Sequence, residues 1–315
     1  MSTTVFFATN RVVNGPMDRV GSYTTNITSP LRPQDVTYGT AFVDSANLTA
    51  DTVGAITSIQ ALQQGSFADS IVDDLSAGTR DILVFIHGFA NSFENAITRA
   101  AFNREWLSQG GADTAVVAFS WPSSGHVILP PFPSSAYRLD QTAAGQSGPH
   151  LMTFFANLLP ILEAARAKRR RTFLLAHSMG NWALQAAVET WFAHGNGDAF
   201  MFNEALLAAA DEIANSFDFG PAGRLSGLRR LARRISIYYS RNDEVLGDLS
   251  EIINLAKRLG QDGPRGRTDQ TEFPSATYRM VDCSDIVDYQ RDFQGSHQYY
   301  RRSPNVRKDI TGVMS

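Results

Sequence analysis

The segment Ala176-His177-Ser178-Met179-Gly180 constrains what this chain can fold into more than any other stretch of it. The apolar run Phe173-Leu174-Leu175 precedes it, and a stretch carrying Ala183, Ala186, Ala187 and Val188 on one helical face follows. A buried strand, a sharp turn and a helix are thus written consecutively around one serine. Such a turn strains the serine's backbone and brings the incoming strand close to the outgoing helix, so its flanking residues must be small. Ala176 and Gly180 meet that demand, with alanine standing where the pattern Gly-x-Ser-x-Gly has its first glycine. A five-residue match is weak by itself, and its setting between a strand and a helix start gives it weight.

The rest of the chain repeats the alternation that this segment opens. Ile82 to Ile86, Ala115 to Phe119, Thr172 to Leu175, Glu204 to Ala208, Ile235 to Tyr239 and Tyr278 to Val281 read as six parallel core strands. Helical patterns over Phe93 to Gln109, Pro149 to Lys168, Asn181 to His194, Ile213 to Phe217 and Leu249 to Leu259 lie between them. That order predicts an α/β fold, a mostly parallel central sheet with helices on both faces. Val5 to Thr9 and Val36 to Val43 are expected to form an antiparallel N-terminal edge. The expected organisation is one domain over residues 1–315, with 121–148 as a cap or lid excursion. Pro122, Pro130, Pro131 and Pro133 there argue against a regular element, and Val127 to Phe132 give it an apolar centre. A packed surface excursion is the alternative for the same stretch.

Composition narrows the function classes. The chain is 315 residues long, with a net charge of -3, so no overall field draws it to nucleic acid or an anionic membrane. The basic clusters at Arg166 to Arg171 and Arg229 to Arg234 read as solvated charge ahead of strands. Cys283 is the single cysteine, which rules out an intrachain disulfide and suits a reducing compartment. The N-terminal residues lack a secretory pattern, and no run approaches the about 20 apolar residues of a membrane span, so a cytoplasmic location is expected. No His-Glu-x-x-His, Asp-rich loop or Gly-rich nucleotide loop occurs, and the expectation is of no metal and no cofactor.

A serine hydroxyl needs a base to become a nucleophile near neutral pH. Of the six histidines, His194 and His297 follow Ser178. His194 ends the elbow helix, away from the serine, whereas His297 sits in the loop Phe293-Gln294-Gly295-Ser296-His297 after the last strand and is the expected base. The acid that orients it must come from a loop behind a late strand. Asp243, after Ile237-Tyr238-Tyr239, is preferred; Asp211, after Leu206-Leu207-Ala208, is the alternative, with bordering the pocket or capping a helix as its other readings. Asp282 and Asp285 are weaker choices. The developing oxyanion calls for two backbone N–H donors, expected from Met179 at the helix start and Phe89 in His87-Gly88-Phe89-Ala90-Asn91. His87 is expected to hold that loop rather than act as a base, and Phe89 and Trp121 are candidates to line an acyl pocket, with ordinary core packing as the equal alternative for either.

These features resemble the α/β-hydrolase superfamily, with its order of serine, acid and histidine. More narrowly, Phe-Ala-Thr-Asn-Arg near the start, Tyr38-Gly39-Thr40, Phe-Ile-His-Gly-Phe-Ala-Asn-Ser-Phe-Glu, Phe-Ser-Trp-Pro-Ser and Ala-His-Ser-Met-Gly-Asn resemble a bacterial branch of hydrolase-like proteins of unknown function. The resemblance implies an esterase-like site at Ser178, Asp243 and His297, and from the serine chemistry a small-molecule ester is the expected substrate. A lipase or acyltransferase on the same scaffold, and a noncatalytic binding protein, are the rival readings. No nucleic acid partner and no stable membrane insertion are expected, and the oligomeric state is not legible.

Overall fold

The computed structural model describes residues 2–62, 75, 78–125, 134–220 and 223–315. Its strands are β1 (Ser2–Thr9), β2 (Arg11–Val13), β3 (Tyr23–Ile27), β4 (Thr37–Asp44), β5 (Ala55–Leu62), β6 (Asp81–Ile86), β7 (Thr114–Ser120), β8 (Thr172–His177), β9 (Phe202–Ala208), β10 (Ala232–Tyr239) and β11 (Tyr278–Asp282). The longer helices are α1 (Phe93–Ser108), α2 (Ser134–Gln146), α3 (Gly148–Ala167), α4 (Gly180–Ala193) and α5 (Pro304–Met314). Nine strands form one sheet in the order β11-β10-β9-β8-β6-β7-β1-β4-β5, and β2 pairs with β3 in a separate ribbon.

Alternation along the central strands explains the layers. Ile82, Val84 and Ile86 of β6 enter one core with α2, α3 and α4, while Leu83 and Phe85 enter the other with α1 and α5. Period-two side chains of a strand covered on both sides must all be apolar, hence the unbroken hydrophobic runs. At about 25 cal/mol per Å² of apolar surface, each fully buried Leu, Ile or Phe contributes roughly 2 kcal/mol toward the ordering cost of the chain.

All six expected core strands are present, each parallel to its neighbours. The antiparallel N-terminal edge is present as well, with one addition. β1 is parallel to β7, with Val5 opposite Val116, and so extends the parallel core. The antiparallel part is β1 with β4 and β4 with β5. Buried on nearly every position, β1 had the pattern of an interior strand, whereas β5 is mostly exposed and carries little apolar signal.

Three helical expectations are corrected. Ile213 to Phe217 is not helical: Ile213 bridges Arg258, and the Ala214 N–H donates to the Lys257 carbonyl, so a neighbouring segment takes the bonds a helix would use. The expected Leu249 to Leu259 helix starts earlier, as a wide turn over Val245–Glu251, and stops after Asn254 because Leu255 adopts a left-handed φ of 50°. Within the 121–148 excursion, residues 134–146 form the regular helix α2 despite the surrounding prolines, burying Tyr137 and Ala144. The apolar stretch Val127 to Phe132 lies outside the described residues.

Candidate active site

Ser178 sits at the turn between β8 and α4 with φ of +54°, a left-handed backbone that a β-carbon resists. The turn is held from three sides. Ser178 N–H donates to Ala208 O at 3.0 Å, Asp211 N–H donates to Ser178 O at 3.1 Å, and the buried Asn181 amide donates to the carbonyls of Ala176 and Ser178 at 3.1 Å. Asn181 therefore ties the turn together. Two glycines are required here by close approach. A β-carbon on Gly180 would stand 2.5 Å from His87 O, and one on Gly88 would stand 2.8 Å from the Ser178 β-carbon. The loop after β6 is thus packed backbone to backbone against the serine turn.

Around that serine the structure brings together two of the expected groups. His297, at the end of the short helical turn Gly295–His297, points Nε2 at Ser178 Oγ over 2.8 Å. Its Nδ1 donates to Asp243 Oδ2 at 2.7 Å. Asp243 Oδ1 accepts the Leu246 N–H at 3.0 Å, and Ser296 Oγ accepts the Glu244 N–H at 3.1 Å, so the loops bearing the acid and the histidine are joined directly. Ser178, His297 and Asp243 are all buried. Burial is the largest single influence and works against the His297 imidazolium, but the Asp243 charge, its hydrogen bond and the Asp211 charge together hold the pKa above the ordinary value. Burial pushes Asp243 itself up, against the opposing pull of His297.

A third histidine supports this arrangement. His177 Nε2 donates to the His297 carbonyl at 3.3 Å, and its ring lies between those of His297 and Tyr300, at 4.9 and 4.6 Å between centroids. Burial, reinforced by neighbouring His297, keeps His177 far below its ordinary pKa and hence neutral. His194 lies at the far end of α4, where its ring Nδ1 bonds Thr190 O at 2.8 Å.

The loop Gly88 to Asn91 lies over the serine turn. Phe89 lines the cavity there, and Ala90 takes a left-handed φ of 56°. Among the described residues, neither the Phe89 N–H nor the Met179 N–H donates to a backbone carbonyl. His87 contacts the carbonyls of Gly88 and Trp121 through its two ring nitrogens, at 2.9 and 3.1 Å, and stacks on the Trp121 indole. Burial and the Arg11 charge lower its pKa to about 3, so it holds the loop as a neutral ring. Trp121 donates to His87 O at 2.7 Å and is fully buried; it supports this loop and does not line the cavity.

Sequence reasoning missed what fixes that loop. Arg11, 1% exposed, spreads its guanidinium over the carbonyls of Asn91, Trp121, Ser123 and Thr24 at 2.6 to 3.2 Å. Burial lowers its pKa to about 9, with Asp140 opposing. Asp140 of α2 accepts the backbone N–H groups of Ala90 and Ser124 and the Ser123 hydroxyl. The one signal was the Phe-Ala-Thr-Asn-Arg motif, whose arginine follows a buried strand directly.

Asp211 lies elsewhere in the same cavity. Its Oδ1 is 2.9 Å from Nη2 of the buried Arg258 and accepts from Ser250, and its Oδ2 accepts from Tyr137 at 2.8 Å. It does not bond His297. The cavity holds about 440 Å³ and opens over Ser178 and His297. Among the described residues, no group of three or more His, Cys, Asp or Glu side chains is disposed to hold a metal ion, and no helix is long and apolar enough to cross a membrane.

A nine-stranded, mostly parallel sheet with a serine on a strained strand-to-helix turn defines an α/β-hydrolase fold. Residues 63–313 match the family described as alpha/beta hydrolase of unknown function (DUF900), and the chain belongs to that family. No curated protein matches it. Among solved structures, the product of the gene lin2722 from Listeria innocua is 11% identical, over 75% of this chain and 94% of that one, with a TM-score of 0.34.

Proposed function

We propose that the protein is a serine hydrolase that cleaves carboxylic esters through an acyl-enzyme. The reading rests on one observation above the rest: Ser178 Oγ, His297 and Asp243 form a continuous hydrogen-bonded line at a serine whose backbone is strained into the left-handed region. Ser178 Oγ attacks the ester carbonyl carbon while its proton passes to His297 Nε2. Asp243 fixes the tautomer with the proton on Nδ1 and stabilises the imidazolium as it forms. The carbonyl oxygen becomes an oxyanion facing the N–H groups of Phe89 and Met179, where each donor is worth about 3 kcal/mol in the transition state. Collapse expels the alcohol, which takes the proton from His297. Water then attacks the acyl-enzyme with His297 again as base, and Ser178 is regenerated.

Arg11 and Asp140 act through the loop they anchor, since a donor left free to rotate loses most of its advantage over water. The test is hydrolysis of a chain-length series of p-nitrophenyl esters by wild type and Ser178→Ala, with active-site titration by a phosphonate. Stoichiometric labelling of wild type alone, with turnover that depends on Ser178, is expected. A folded wild type that neither labels nor turns over any ester favours a noncatalytic binding protein.

A further inference from the structure

Three arginines line the cavity over Ser178, and two of them have no ion-pair partner among the described residues. Arg99 of α1 and Arg301 and Arg302 from the segment after His297 all line it. Arg302 is paired with Asp51 and Asp292. The remaining lining carboxylate, Asp211, is paired with Arg258. That leaves Arg99 and Arg301, and among the described residues neither has a carboxylate within ion-pair distance. Arg99 donates to the Ala50 carbonyl, a neutral acceptor. Arg301 is 7% exposed, and its buried Nε has no acceptor.

A buried guanidinium without a counter-charge forfeits several kcal/mol of hydration. Burial lowers the pKa of Arg99, Arg302 adds to that, and Tyr300 and Asp51 oppose it only in part. Its charge also helps keep His177, beside Ser178, neutral. An anion arriving in the cavity offsets this cost through charge-assisted hydrogen bonds, which the forked guanidinium donates two at a time to carboxylate or phosphate oxygens. The volume of about 440 Å³ suits a small molecule.

We propose that the ester cleaved at Ser178 carries a second, anionic group, a carboxylate or a phosphate, and that Arg99 and Arg301 bind it. This rests on the serine-hydrolase reading above for the word ester; the anion site rests on its own residues. Arg99 and Arg301 are then specificity residues, and a substrate is selected by its distal charge as well as by its ester bond.

Two arms test this and separate it from the hydrolase reading. In the first, a pH-stat follows hydrolysis of methyl butyrate and monomethyl succinate, which differ in whether a methyl or a carboxylate ends the acyl chain. Wild type should favour the succinate half-ester, and Arg99→Gln or Arg301→Gln should lower the ratio of the two kcat/KM values about ten-fold or more. Arg99→Lys, which keeps the charge, should lower it less. A wild-type preference for methyl butyrate, or a ratio unchanged in both glutamine variants, overturns the proposal. In the second arm, calorimetric titration of Ser178→Ala with succinate and with inorganic phosphate reads binding without turnover. Binding of either anion that is lost when Arg99→Gln is added supports the site and identifies its chemistry; binding of neither overturns it. If wild type hydrolyses no ester and takes no phosphonate while Ser178→Ala still binds the anion, the hydrolase reading fails and the anion site stands.

Discussion

Asp243 and Asp211 make an instructive pair. Each follows a parallel strand, each is buried, and both stand near the same serine. Asp243 spends one oxygen on His297 and the other on a backbone N–H, so its charge faces an imidazole. Asp211 spends its oxygens on Arg258, Ser250 and Tyr137, and its backbone N–H on the serine turn. One carboxylate is set against a group that can titrate near neutral pH. The other is set against one that cannot. The same residue type in nearly the same topological position is thus suited to orient a base in one case and to cross-link the cavity wall in the other.

The largest expected effect removes the hydroxyl both carboxylates stand near. Ser178→Ala should lower kcat on p-nitrophenyl esters by about a million-fold with an unchanged circular dichroism spectrum. Residual activity near wild type would dissolve the contrast, because neither aspartate would then border the reacting group. Next, Asp243→Asn should cost about 10⁴-fold in kcat, since an asparagine stabilises the wrong imidazole tautomer, with little change in the urea midpoint. Asp211→Asn should show the reverse balance. Turnover should fall far less than in Asp243→Asn, while unfolding free energy drops by about 3 kcal/mol because Arg258 is left buried without its counter-charge. If Asp211→Asn proves the poorer catalyst, the two roles are exchanged.

The smallest effect is read in the pH profile. His297 must be neutral to accept the serine proton, so kcat/KM rises with pH as the imidazolium loses its proton. Because the Asp243 charge and hydrogen bond, with the Asp211 charge, together overcome burial and raise the His297 pKa, the acid limb of wild type should fall at a higher pH than for an ordinary imidazole. In Asp243→Asn that midpoint should move down. In Asp211→Asn it should move down by less, since Asp211 raises His297 only through space. Equal shifts in the two variants would show that the electrostatic distinction between the carboxylates is not real.

Much of the fold was legible because it is written locally. The six core strands are unbroken apolar runs, and the serine turn needs only its small neighbours and the strand before it. The antiparallel pairing of β1 with β4 was expected and is present, whereas the parallel pairing of β1 with β7 spans a connection of about a hundred residues and leaves no local mark. Ile213 to Phe217 has a helical pattern locally, yet Arg258 and Lys257 claim its backbone. For Trp121 its position at a strand end left pocket lining and core packing equally open, and only its burial and its stacking on His87 decide for the core beneath the loop.

The candidate site divides the same way. The strained serine and its required glycine are properties of five consecutive residues, and the chain order left His297 as the histidine beyond the elbow helix. Sequence by itself determined the class of fold, the turn and a short list of polar groups. The tertiary structure alone decided that Asp243 meets His297 while Asp211 meets Arg258, that Arg11 reaches four carbonyls around the loop over the serine, and that Arg99 and Arg301 share a cavity with no carboxylate at ion-pair distance from either among the described residues. Strand and turn preferences act over a few bonds and leave their mark in residue order. A charge's partner is chosen by which distant loops the sheet delivers to one end, and no local pattern records that choice.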